Sequence, residues 1–65
     1  SLLHATGTAE SDLRPIGVVR IDDQRHDALA EYGVIENGTE IIVVKVLDNQ
    51  LKVRPAAEEH PEKTT

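Results

Sequence analysis

An all-β domain of about five short strands is what this 65-residue sequence predicts, on three observations. Asp12 to Ile21, DLRPIGVVRI, sets apolar or small residues at every second position, the period of a strand with one buried face. Thr39 to Leu47, TEIIVVKVL, is dense in β-branched residues, which suit a pleated surface. Turn formers, Asp22-Asp23, Asn37-Gly38 and Asp48-Asn49-Gln50, separate such runs.

Residues 1–6 are short and unpatterned and are expected to be the end of a linker. Gly7 to Ser11 is expected to form a first short strand, with Leu3, Ala5, Gly7 and Ala9 on one side. Asp12 is placed to cap the turn that follows, its short carboxylate reaching nearby backbone N–H groups. In the next strand Leu13, Pro15, Gly17, Val19 and Ile21 form the inward set, and Arg14, Ile16, Val18 and Arg20 the outward one. Gly17 inside the strand marks a bend or a close backbone approach, and small barrels need such bends to close.

Asp22, Asp23 and Gln24 make a hairpin turn. RHDALAEY has helical propensity at Ala28, Leu29 and Ala30. It is too short for a stable helix, and His26, Ala28, Ala30 and Tyr32 give it a strand face. In GVIENG, Ile35 is expected to turn inward ahead of the Asn37-Gly38 turn. The apolar residues of TEIIVVKVL do not alternate cleanly, and a bulge that switches the inward set from Ile41 and Val43 to Val44 and Val46 accounts for this. Leu51, Val53 and Pro55 alternate with Lys52 and Arg54 in a last strand. The fold-determining set is Leu13, Pro15, Gly17, Val19, Ile21, Ala28, Ile35, Gly38, Leu51 and Val53. The count fits a five-stranded OB-like β-barrel over 7–55, with an SH3-like barrel as the alternative. AAEEHPEKTT, 56–65, is too poor in apolar groups to offset its ordering entropy and is expected to be a disordered tail.

The length allows one domain. With 38% hydrophobic residues and Tyr32 as the one aromatic, the core must come from Val, Ile, Leu and Ala. The absence of cysteine removes disulfides and thiolate metal sites. The absence of methionine implies a piece of a longer or processed protein. No apolar run approaches the ~18–20 residues of a membrane span.

Little in the chain points to catalysis, and no catalytic, cofactor or metal site is expected. His4, His26 and His60 lie far apart and have no metal-site spacing. His26 and Asp27, as strand neighbours, point to opposite faces. Asp22 and Asp23 at a hairpin tip lack the burial that would separate them into acid and base. The four glycines are scattered and form no phosphate loop. Nucleic-acid or polyanion binding is the alternative function an OB-like barrel raises. Such binding uses a basic groove and aromatic stacking platforms, and a net charge of -5 with one tyrosine weighs against it.

In order, Gly7 and Ala9, DLRPIGVVRI, RHDAL, EYGVIENGTEIIVVKV and LKVRP resemble the C-terminal domain of the NfeD family, from Gly7 to Pro55. The most telling residues are Leu13-Arg14-Pro15 with Gly17, Asp27-Ala28, Ile35 with Gly38-Thr39, and Leu51 to Pro55. Asp22-Asp23 departs from the glycine usual in that hairpin, and Val34 stands where the family tends to have phenylalanine. The resemblance implies a non-catalytic interaction barrel on a membrane-anchored protein associated with regulation of membrane proteases. It implies a stomatin- or flotillin-like partner or a second copy, and a place at the cell membrane with this domain water-exposed on the cytoplasmic side. Longer members add a serine protease domain, which this chain lacks, so no catalytic residue carries over. The candidate contacts are Ile16 and Val18, apolar where a solvated face should be polar.

Overall fold

The computed structural model describes residues 1–59. Strand β1 spans Thr6–Ala9, β2 Ile16–Ile21, β3 Gln24–Ala30, β4 Glu40–Val46 and β5 Leu51–Pro55. They close into a barrel in the order β1-β2-β3-β5-β4, with β4 returning to β1. Neighbours are antiparallel, except β3 with β5, which run parallel. This is the OB-like all-β barrel that the patterning predicts.

The period-two alternation decides the interior. Val19 and Ile21 of β2, Ala28 and Ala30 of β3, Ile41 and Val43 of β4, and Leu51 and Val53 of β5 are buried, with Ala9, Leu13 and Ile35. Leu13 and Ile35 lie outside the strands yet bridge each other. The Leu13 N–H donates to the Ile35 carbonyl at 2.7 Å, and the Ile35 N–H to the Leu13 carbonyl at 3.1 Å. Two loops thus extend the core beyond the ends of β1 and β3. Branched aliphatics fill this small barrel without an aromatic ring, because Tyr32 is 68% exposed.

The β2–β3 hairpin pairs Ile21 with Gln24, leaving a two-residue loop. Asp22 and Asp23 both take positive φ, 51° and 66°, the twist that matches flanking strands and usually calls for Asn or Gly. At Gly17 the chain comes close to itself. A Cβ there would lie 2.5 Å from Leu13 Cδ2 and 2.7 Å from the Asp12 carbonyl oxygen.

Several local expectations need correction. Pro15 is exposed, because β2 begins only at Ile16 and alternation does not reach back through the loop. Its carbonyl accepts a hydrogen bond from the Ala30 N–H at 2.7 Å. Tyr32 lies beyond β3, which ends at Ala30. β4 does carry an irregularity, between Val43 and Lys45. Val44 is nevertheless only half-buried and Val46 is 48% exposed, since the strand is running out of barrel there. Leu2 and Ala5 pack against the core, so residues 1–6 join the fold rather than a linker. The first strand covers Thr6–Ala9 instead of Gly7 to Ser11. Past Pro55 the chain makes one turn of 3-10 helix, Ala56–Glu59, where the tail was expected to begin. Residues 60–65 of that stretch lie outside the described residues.

Candidate interaction face

The register of β2 with β3 builds one two-stranded outer face. Ile16 stands opposite Leu29, Val18 opposite Asp27, and Arg20 opposite Arg25. In OB barrels this face, with the loops before β2 and between β4 and β5, is where ligands commonly bind. Its end near the start of β2 is apolar at the Ile16–Leu29 pair, and the next pair sets Val18 against the exposed carboxylate of Asp27. Ile16 is 62% exposed, and Val18 and Leu29 are half-buried. Leu29 was not among the sequence candidates. Its signal was available, since it alternates with the inward Ala28 and Ala30 and is apolar at an outward position, as Ile16 is.

The other half is charged and internally matched. Arg20 and Arg25 face each other, a pairing that would repel, but Glu10 reaches across from the end of β1. Arg20 Nε donates to Glu10 Oε2 at 2.6 Å, and Arg25 Nε to Glu10 Oε1 at 3.1 Å. The Arg20 hydrogen bond, then the charges of both guanidiniums, hold the Glu10 carboxyl below its ordinary value. The same bond to Glu10 raises Arg20 above its own. These two arginines are therefore occupied, which leaves them poorly placed to grip a phosphate backbone.

Asp12 fastens the loop that borders the face. Its Oδ1 accepts the Asn37 N–H at 2.8 Å, and its Oδ2 accepts Arg14 Nη2 at 3.1 Å. The Asn37 bond, then the Arg14 bond, lowers the Asp12 carboxyl below its ordinary value. The local cap expected of Asp12 is instead a tie across 25 residues. Ser11 supplies a nearer contact, its Oγ accepting the Val18 N–H at 3.1 Å. On the far side of β5, Arg54 Nε donates to Glu31 Oε1 at 2.8 Å.

The remaining sequence candidates do not converge. His26 sits opposite the inward Val19, and Asp27 opposite the outward Val18. Both border an open pocket of about 230 Å³ with Leu47 to Leu51. His4 is exposed, and His60 lies outside the described residues. Among the described residues no group of three or more His, Cys, Asp or Glu side chains is placed to hold a metal ion.

Strand order and outer face together define the class, a small OB-type barrel whose β2–β3 face is part apolar and part charged. Residues 1–55 match the family model described as NfeD-like C-terminal, partner-binding domain, and the chain belongs to that family. Its fold is similar to a solved structure, the C-terminal domain of stomatin operon partner protein 1510-C from Pyrococcus horikoshii. The TM-score is 0.80 at 25% identity, over 83% of this chain and 86% of that one. A comparison with curated proteins finds no match. Among the described residues no helix is long and apolar enough to cross a membrane.

Proposed function

We propose that this barrel is the non-catalytic docking module of a membrane-anchored protein, and that Ile16, Val18 and Leu29 form its contact surface. The observation that carries the reading is Ile16, 62% exposed, on the face that OB barrels use for ligands. The partner-binding family supports it. The partner we infer is a membrane protein of the stomatin or flotillin type, or a second copy. The relation to a stomatin operon partner protein favours the former. The anchored protein resides in the cell membrane and presents the barrel to the cytoplasm. The polyanion alternative lacks a favouring observation on this face, since Arg20 and Arg25 both bond to Glu10.

The test is partner recovery from detergent-solubilised membranes by the parent protein with and without the barrel. Deletion is expected to abolish recovery of a co-expressed stomatin-type protein. Equal recovery after deletion sinks the proposal.

A further inference from the structure

A transverse row on the barrel's outer surface crosses four strands. Register pairs align Ile16 of β2 with Leu29 of β3, Leu29 with Lys52 of β5, and Lys52 with Lys45 of β4. Side chains at paired positions share a face. Two apolar groups are therefore followed by two ammoniums over ~14 Å, at about 4.8 Å per strand.

The lysine pair is unusual in this chain. All four arginines bond to carboxylates, whereas neither Lys45 nor Lys52 has a carboxylate partner among the described residues. The β4 irregularity creates the opposition. Val43 pairs with Val53, but the next pairs are Lys45 with Lys52 and Val46 with Leu51, so Val44 is the extra residue. Without the bulge, Val44 would stand opposite Lys52. Directly opposed like charges destabilise a sheet, and bulges often re-aim a side chain where function uses it.

We propose that this row is a recognition stripe for an acidic amphipathic helix of the protein partner. Its apolar side chains rest on Ile16 and Leu29, and its carboxylates meet Lys52 and Lys45. Charge complementarity selects an acidic occupant. Spacing selects a helix, whose turns rise about 5.4 Å, close to the distance between strands in the row. A strand crossing it would present one face every ~6.8 Å and fall out of step. The inference rests on the docking reading above and adds the chemistry of what docks.

The probe is a fluorescein-labelled helical peptide of about 20 residues. It carries Leu at positions i and i+4 and Glu at i+7 and i+11, and a second version has Lys for both Glu. Anisotropy titrations with the 65-residue chain are expected to show binding of the acidic version alone, weakened by salt. Lys45→Glu/Lys52→Glu is expected to weaken it about tenfold or more, and Ile16→Thr/Leu29→Thr to weaken it as well. Lys45→Glu alone sets a carboxylate opposite Lys52, so its melting temperature should hold or rise while binding falls. That separates recognition from unfolding. Equal binding of both peptides, or indifference to the lysine reversals while Ile16→Thr/Leu29→Thr abolishes binding, overturns the stripe and leaves the docking face standing. Lysine dependence without any effect of Ile16→Thr/Leu29→Thr overturns it too, as does equal lysine-dependent uptake of anionic phosphatidylglycerol vesicles or single-stranded oligonucleotide. No binding of the acidic peptide up to about 1 mM also refutes it.

Discussion

Replacing Gly17 with alanine adds one methyl group at the tightest point of the β2 entry. That carbon would lie 2.5 Å from Leu13 Cδ2, 2.5 Å from Ser11 Oγ and 2.7 Å from the Asp12 carbonyl oxygen, where carbon contacts prefer about 3.5–4.0 Å. Leu13 cannot step aside, because it is fully buried in the core. Asp12 cannot move freely either, since its side chain holds Asn37 and Arg14. Forcing such a methyl into a packed site costs about 1–3 kcal/mol. Displacing Ser11 from the Val18 N–H, a 3.1 Å hydrogen bond, adds about 1 kcal/mol. A domain of this length has roughly 3–10 kcal/mol in total, so Gly17→Ala should remove a large share and Gly17→Val should prevent folding. Urea unfolding gives the loss directly, and heating should show a melting point lower by roughly 10–25 °C for alanine. A Gly17→Ala domain within about 0.5 kcal/mol of the parent refutes the close-approach account.

Three further outcomes follow from the same geometry. Glu10 and Asp12 both have folded-state values below their ordinary 4.5 and 3.8, so their contribution is fully present above those values. It is lost as the pH falls through the lower folded values. Glu10→Gln should therefore be less stable than the parent near neutrality and lose less on acidification, as read by melting temperature across that range. An unchanged acid limb counts against the Glu10–Arg20 bond. Asp23→Gly should stabilise the domain by about 1 kcal/mol, because Asp23 holds a φ of 66° that glycine adopts without strain. A lower melting temperature rejects that reading of the turn. Leu13→Ala should cost about 3 kcal/mol in urea unfolding, since a fully buried side chain leaves a cavity. A loss under about 1 kcal/mol means the site collapses around it.

The barrel was legible because side chains in strands alternate with a period of two. Val19 with Ile21 and Leu51 with Val53 reveal their inward faces without knowledge of any partner strand. Pro15 was misplaced because the same alternation, carried through DLRP, crosses residues that are loop in the folded chain. Tyr32 was misplaced for the same reason at the other end of β3. Val46 looks like core by composition, yet its environment depends on where the barrel ends. The electrostatic ties were out of reach from sequence. Glu10 meets Arg25 across 15 residues and Asp12 meets Asn37 across 25, and neither separation follows from a local pattern. The candidate interaction face was half legible. Ile16 and Val18 stand out as apolar outward residues, but the alignment of Leu29, Lys52 and Lys45 beside them needs the closed register and the position of the bulge.

Under the proposed function the outer β2–β3 face, and not the barrel as a whole, holds the partner. The direct measurement is recovery of a co-expressed stomatin-type protein by the protein carrying Ile16→Glu, alongside the melting temperature of the isolated 65-residue chain with the same change. Ile16 is 62% exposed, so the substitution should alter stability by less than about 1 kcal/mol. Loss of the partner is expected, with the melting temperature nearly unchanged. Full recovery by the Ile16→Glu protein contradicts it.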